Sequence, residues 1–331
     1  MSSREFTITV PAGKIRERLD LYLTHHVENA TRSKVQQAIK EGFVTVDGKV
    51  VKTSHKISPG EIIFVKIPKP PTPDVVPENI PLEILFEDKY LLVVNKPAGM
   101  VTHPAYSNYS GTLVNALLYH CNKDLSTLND STRPGIVHRL DKDTSGVMVI
   151  AKDDATHAHL AKQFARRTTE REYWAFVWGR FEKKDKSGII EATLGRSKSD
   201  RKKFAVSAIG KAAITEYKVL EEFDYLSLVR LKLRTGRTHQ IRVHLHHIGH
   251  PVFGDPTYGG RRIAWGGTDK KKKEEVQNLL KILTRQALHA KTLGFMHPAT
   301  KEIMKFDSDL PQDMKSMRDL LNESSVKTID K

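Results

Sequence analysis

His138-Arg139-Leu140-Asp141-Lys142-Asp143-Thr144-Ser145-Gly146 runs straight into Val147-Met148-Val149-Ile150-Ala151. The first nine residues are charged and turn-forming, and the next five are wholly apolar. A short apolar run behind a turn fits a strand covered on both faces. Asp141 then lies on a loop that opens a buried strand. Its neighbours Arg139 and Lys142 are cations, and opposite charges favour a carboxylate. Such a group can serve as nucleophile or base. The same residues also make an ordinary turn, with Asp141 paired to a nearby arginine, and spacing alone leaves both readings open.

Around this strand the pattern is rich in strands. Leu91-Leu92-Val93-Val94-Asn95 is a second buried strand, closed by Lys96-Pro97-Ala98-Gly99. Glu172–Val177 and Ala212–Val219 read as strands. In Val229-Arg230-Leu231-Lys232-Leu233-Arg234, apolar and basic residues alternate, giving one core face and one basic face. Residues 112–118 and 154–167 read as helices, the second capped by Asp153 and closed by Arg166-Arg167. Residues 239–248 read as a short helix with Ile241, Leu245 and Ile248 as its stripe, Thr235 or Thr238 as its cap and Gly249 as its stop. Strands without regular βαβ alternation predict an α+β domain with a mixed, mostly antiparallel sheet.

A small module precedes it. Phe6–Val10 alternates as a strand. Ile15, Leu19 and Leu23 recur at helix spacing, and Thr31 caps a second helix carrying Val35, Ala38 and Ile39. Val44-Thr45-Val46-Asp47-Gly48-Lys49-Val50 is a hairpin with Asp-Gly at its turn. Pro68, Pro70, Pro71, Pro73, Pro77 and Pro81 then form a semi-rigid joint. The expected organisation is a module over 1–67, a proline-rich linker over 68–81, a larger domain over 82–313 and a polar tail over 314–331.

Composition narrows the function. Among 331 residues, 54 Lys and Arg against 39 Asp and Glu leave a net charge of +15. Such an excess calls for a polyanion, nucleic acid first, against the alternative of a merely well-solvated surface. Cys121 is the only cysteine, which excludes an internal disulfide and a cysteine zinc site. No apolar run reaches the roughly 18 residues of a membrane span, and the first residues lack the apolar core of a signal peptide. A cytoplasmic protein without membrane association is expected.

Several segments can carry chemistry. Asp141 and Asp143 form an Asp-x-Asp pair, but no Gly-x-x-x-x-Gly-Lys loop accompanies it and Lys142 stands between the acids. His239, His244, His246, His247 and His250 lack His-Glu-x-x-His spacing. No metal is expected. Arg237 and His239 fall near a helix N-terminus, where anions bind, and Arg242 lies off the apolar stripe. Tyr173, in Arg171-Glu172-Tyr173-Trp174-Ala175-Phe176, is either a core ring or one that stacks on a base. Lys96 and His103, at a strand exit, either contact phosphate or belong to a turn.

The segment 138–146 resembles the signature of the ribosomal large-subunit pseudouridine synthase family. So do Asn95-Lys96-Pro97-Ala98-Gly99, Arg171-Glu172-Tyr173, Gly236-Arg237-Thr238-His239-Gln240-Ile241-Arg242-Val243-His244, Gly254-Asp255-Pro256-Thr257-Tyr258-Gly259-Gly260 and Gln286-Ala287-Leu288-His289-Ala290, in the family's order. Residues 15–67 resemble the S4 RNA-binding module, through Arg18-Leu19-Asp20 and Arg32-Ser33-Lys34-Val35. Segment 261–285 follows the family pattern less closely.

The resemblance implies an isomerase that converts uridine in RNA, foremost 23S ribosomal RNA, to pseudouridine without a cofactor. It implies Asp141 as the catalytic aspartate, Tyr173 as the active-site tyrosine and Arg242 as the arginine paired with the aspartate. Candidate RNA contacts are Arg16, Arg32, Lys34 and Lys40 in the module. In the larger domain they are Lys96, His103, Arg139, Arg230, Lys232, Arg234, Arg237 and His239. The implied partner is large-subunit ribosomal RNA or a pre-ribosomal particle, met by a monomer. The alternatives are a synthase acting on transfer RNA and an RNA-binding assembly factor whose main role is not catalysis.

Overall fold

The computed structural model describes every residue except 1–3, 28–29, 68–74, 106–107, 123, 129–131, 198, 201, 264–269 and 330–331. The chain divides into two units, Met1–Thr72 and Pro73–Lys331.

The first unit holds β1 (Arg4–Thr9), α1 (Leu19–His26), α2 (Arg32–Lys40), β2 (Val44–Val46), β3 (Lys49–Val50) and β4 (Ile62–Ile67). Its strands form one antiparallel sheet in the order β1-β4-β2-β3. Asp47 and Gly48 both take positive φ, 46° and 75°, the backbone that a two-residue hairpin with right-handed twist requires. The Thr31 hydroxyl accepts the Lys34 N–H at 3.4 Å as the α2 cap. Helix α1 begins only at Leu19, and Ile15 is 84% exposed, so the apolar spacing that starts at Ile15 overstates the helix. Leu19, Leu23, Ile39 and Ile63 are the centre of the small core.

The second unit opens with β5 (Glu83–Glu87), β6 (Leu91–Lys96), α3 (Leu113–His120), β7 (Ser145–Ala151), α4 (Asp154–Arg166) and β8 (Glu170–Trp178). Next come β9 (Ser187–Arg196), β10 (Phe204–Val206), β11 (Lys211–Glu222), β12 (Leu226–Leu233) and α5 (Gln240–His247). It closes with α6 (Lys270–Ile282), β13 (Leu288–Met296), β14 (Ile303–Asp307) and α7 (Gln312–Ile329). One sheet runs β10-β9-β11-β12-β8-β13-β7-β6-β5, with β14 beside β13. The β13–β7 pair is parallel and the other described pairs are antiparallel. The fold is α+β with a mixed, mostly antiparallel sheet.

Strand β7 is buried throughout because both faces are covered. Met148 and Ile150 join Leu113 and Leu117 of α3 in one core. Val147, Val149 and Ala151 join Leu160 of α4 and Phe295 of β13 in another. Helix α4 starts where Asp153 accepts the Thr156 N–H at 2.8 Å, and α3 where Thr112 and Asn115 form a reciprocal capping box.

Two boundary expectations change. Of the proline-rich joint 68–81, residues 68–74 lie outside the described residues. Residues 75–81 belong to the second unit: Val75 packs on its core, and Asn115 Nδ2 donates to the Val76 carbonyl at 2.7 Å. Of the expected polar tail 314–331, residues 314–329 lie on α7 and 330–331 lie outside the described residues. There Met314 and Met317 are fully buried and Leu321 is 2% exposed. Spacings of three and four residues place these three on one helical face, a stripe hidden within a mostly polar composition. Asp313 also takes a two-point contact from Arg285 at 2.7 and 2.8 Å.

If α7 is part of the core, Met317→Ala should cost about 2–5 kcal/mol of stability. Urea unfolding checks this; a midpoint unchanged from wild type would mean that the segment is dispensable.

Candidate active site

The loop before β7 is held by its backbone carbonyls. Lys96, at the end of β6, is 1% exposed. Its Nζ donates to Pro97 O at 2.7 Å, Met100 O at 2.9 Å and Lys142 O at 3.2 Å. Thr102 Oγ1 donates to Leu140 O at 3.0 Å, and Arg285 Nη1 to Asp143 O at 3.0 Å. Three carbonyls beside Asp141 are thus tied down, two from the exit of β6 and one from Arg285. Burial pushes Lys96 down to about 7, with Arg285 acting the same way; Asp143 and Asp141 oppose it. The three carbonyls also oppose it, because only the ammonium form has three N–H donors. Gly146 ends the loop at φ 124°, and a Cβ there would stand 2.2 Å from Ala290 O across the parallel β7–β13 pair. His138 accepts the Val149 N–H at Nε2 (3.1 Å) and stacks on Phe164. Burial lowers its pKa to about 3, with Arg171 adding to the effect.

Arg242 projects from α5 and is shared between two carboxylates. Nε and Nη2 donate to Asp255 at 2.7 and 2.9 Å, while Nη1 donates to Asp141 Oδ2 at 3.0 Å. The Asp255 side chain is fully buried; that of Asp141 is 21% exposed. Asp255 Oδ1 also accepts the N–H groups of Thr257 and Tyr258. Burial works against the Arg242 charge, but the hydrogen bonds and field of Asp255, and then of Asp141, outweigh it and raise its pKa. Asp255 is a rigid anchor that aims the third nitrogen of Arg242 at Asp141.

Asp141, Tyr173, His239 and Arg242 line one cavity of about 150 Å³, a volume comparable to one that accepts a single six-membered ring. Tyr173 is 9% exposed. Burial raises its hydroxyl pKa, Asp141 adds to this and Arg171 opposes it, so the side chain is a neutral phenol near pH 7. The helix start differs from expectation. Neither Thr235 nor Thr238 caps α5; the N-cap is His239, with φ 55°. Gln240 Oε1 instead accepts from Thr235 Oγ1 and Arg237 N at 2.7 and 3.0 Å. Gln240, Asp255 and Arg285 carry the geometry without any spacing signal of their own; the quoted motifs contain Gln240 and Asp255, and Arg285 lies just before the motif that begins at Gln286.

The candidate RNA contacts separate into kinds. Lys96 is buried with its donors filled, so it does not present itself to phosphate. His103 is 4% exposed and lies 3.4 Å from Arg139 Nη1. Arg139, Arg237 and His239 line the cavity. The basic face of β12 is partly offset: Arg230 lies 4.0 Å from Glu172, Arg234 pairs with Glu216, and Lys232 stands between Glu216 and Glu172 in cross-strand register. In the first unit Arg16, Arg32, Lys34 and Lys40 are exposed. There the fully buried Asp20 receives Arg18 at 2.9 and 3.0 Å, Arg32 at 3.2 Å and Gln36 at 2.7 Å. Asp20 thus fixes two guanidinium groups at the surface, and Arg18 joins the set that composition alone did not single out. The hydrogen bond from Arg18 outweighs burial, with Gln36 and Arg32 helping, and holds the Asp20 carboxyl well below its usual range.

Of the clustered histidines, His239 goes to Tyr258 and His250 to Trp178 O and the Phe181 ring. Among the described residues one trio of metal-type donors converges, Glu87, His120 and Cys121, with ligand atoms within 4.8 Å. Lys152 Nζ already donates to Glu87 at 2.6 Å, so the trio is an ion-pair cluster.

Residues 90–247 match the family model described as RNA pseudouridylate synthase, and residues 17–63 the S4 domain model. A Chlorobaculum parvum protein, named as an uncharacterized RNA pseudouridine synthase, is 48% identical over 93% of this chain and 95% of its own. The chain belongs to the RNA pseudouridine synthase family. Within that family, a Zymomonas mobilis protein named ribosomal large subunit pseudouridine synthase D is 43% identical over 95% of this chain and 96% of its own. The solved structure of human RNA Pseudouridylate Synthase Domain Containing 4 aligns with a TM-score of 0.53 at 27% identity, covering 72% of this chain and 93% of that one. The protein is therefore an RNA pseudouridine synthase with an S4 domain, and it binds RNA.

Lys96→Met separates a clamp from a phosphate contact. As a clamp, its loss leaves three carbonyls unpaired and should cost on the order of 3 kcal/mol of stability, with the salt dependence of RNA binding unchanged. A salt slope shallower by about one unit would instead mark a phosphate contact. Asp20 sets an acid limit on the first unit. Its folded pKa lies below the unfolded 3.8, so its stabilisation is complete above that value and fades as pH falls toward the folded one. In hydrogen exchange of α1 amides, Asp20→Asn should therefore lose protection near pH ~6, and the difference from wild type should shrink near pH ~2.

Proposed function

We propose that this synthase isomerises uridines of large-subunit ribosomal RNA, with Asp141 as the reacting carboxylate, Arg242 as its charge partner and Tyr173 as the ring that faces the flipped base. One observation carries the assignment: Asp141 is the more exposed end of the Asp255–Arg242–Asp141 chain, and it opens into a cavity of single-ring size also lined by Tyr173. The ribosomal substrate rests on the name of the Zymomonas mobilis relative. Among the described residues no helix is long and apolar enough to cross a membrane, in keeping with work on RNA in the cytoplasm.

The chemistry follows from the residues. A paired or stacked uridine must first leave the helix, at a cost of a few kcal/mol, and exposed arginines and lysines of the S4 domain and the cavity rim supply phosphate attraction. Asp141 either attacks C1′ or removes the 2′ proton, and both routes break the bond between N1 of the uracil and C1′ of the ribose. The base turns within the cavity and rejoins through C5, whose proton then departs. As a neutral phenol, Tyr173 suits the task of holding the ring, and any proton it takes up needs prior activation of its hydroxyl.

Asp141→Asn should abolish release of tritium from RNA labelled at uridine C5, by at least about a thousandfold, with RNA affinity within about twofold of wild type. Pseudouridine mapping of large-subunit and transfer RNA, with and without the protein, checks the substrate. Full tritium release by the variant would overturn the catalytic role of Asp141.

A further inference from the structure

His239 keeps a left-handed backbone at the start of α5. For a non-glycine residue this costs of order 1 kcal/mol and persists only where the surroundings impose it. The imidazole is held at one end and faces a carboxylate at the other. Nδ1 lies 2.8 Å from the Tyr258 hydroxyl, and Nε2 lies 3.9 Å from Asp141 Oδ2.

The hydroxyl of Tyr258 accepts the Phe204 N–H at 3.0 Å, which leaves its own proton to give to Nδ1. Tyr258 is itself fixed: its N–H reaches Asp255 Oδ1 at 3.1 Å, and the Arg242 guanidinium lies 5.0 Å from its ring centre. At the far end Nε2 faces a carboxylate, which only accepts, so a lone pair there would be repelled. Both ends favour the tautomer with the proton on Nε2. Charge agrees. Burial lowers the His239 pKa, Arg242 and Arg139 add to this, and Asp141 and Asp255 oppose it without prevailing. The Phe204 ring meets the imidazole edge-on at 5.8 Å.

We propose that Tyr258 is a positioning residue that locks His239 in its neutral Nε2–H form, and that His239 gives this N–H to a ribose hydroxyl of the target nucleotide seated against Asp141. A gap of 3.9 Å is too long for a direct hydrogen bond, but a hydroxyl about 2.8 Å from each atom can accept from Nε2 and donate to the carboxylate. The ring thereby orients the ribose without adding a second cation to a carboxylate that already faces Arg242. The ribose part of the proposal rests on the functional reading above; the tautomer part does not.

The test starts with wild-type full-length protein carrying ¹⁵N-histidine. Proton–nitrogen spectra near neutral pH, with the His239 signals assigned by their loss in His239→Gln, should show the proton on Nε2. Tyr258→Phe should convert His239 to a mixture of tautomers. A wild-type His239 protonated on Nδ1, or on both nitrogens, would overturn the lock, and this holds even if Tyr258→Phe fails to fold. Turnover on RNA labelled at uridine C5 tests the donor. The amide nitrogen of His239→Gln reaches the Nε2 position, and that of His239→Asn reaches only Nδ1. The first should keep kcat within about tenfold of wild type, and the second should lose about a hundredfold in kcat with KM little changed. Equal losses in both would sink the donor role. Because the spectra need no turnover, an active Asp141→Asn would remove the functional reading and leave the tautomer result standing.

Discussion

The guanidinium of Arg242, held between Asp255 and Asp141, is the interaction on which the site depends. Two of its three nitrogens are committed to a fully buried carboxylate, so its direction is set before any substrate arrives. Removing one partner from a buried pair costs about 3–5 kcal/mol, because the other charge is stranded. Arg242 is therefore unable to swing with the ligand, and the carboxylate of Asp141 meets a fixed positive charge. The planar fork of arginine makes this sharing possible; the point charge of a lysine does not span two carboxylates in the same way.

The loop that carries Asp141 shows the same economy of movement. Its carbonyls at Leu140, Lys142 and Asp143 go to Thr102, Lys96 and Arg285, all far from the loop in sequence. Gly146 lets β7 pass close enough to β13 to complete the parallel pair. Arg285 in turn is braced by Asp313 at the start of α7. The C-terminal helix thus reaches the loop through one arginine. A reacting group on a loop is precise only when neighbouring residues lock it, and here side-chain donors do that locking.

Local features were readable in advance. The Asp47-Gly48 hairpin turn and the caps at Thr31 and Asp153 depend on residues within a few positions of each other. The apolar run 147–151 announced a strand buried on both faces. The misreadings also have physical causes. Lys96, a candidate phosphate contact by its charge, is buried because three carbonyls match its three N–H donors. The α7 stripe of Met314, Met317 and Leu321 is diluted by polar neighbours. The proposed phosphate face on β12 lost much of its excess charge once Glu172 and Glu216 came into register beside it.

By itself the sequence determined many of the elements, the α+β class, the basic character and the set of motifs, because those rest on short-range periodicity, turn chemistry and composition. Which motif residues meet was decided by the tertiary structure alone. Asp141 and Arg242 are 101 positions apart and Arg242 and Asp255 are 13 apart. Only the pairing of strands around β7, β8 and β13 brings Asp141 and Arg242 into one cavity, with Asp255 buried behind them. Ion pairs and side-chain clamps act over a few ångströms of space and leave no period in the chain, so the anchor at Asp255 and the His239–Tyr258 contact became visible only in three dimensions.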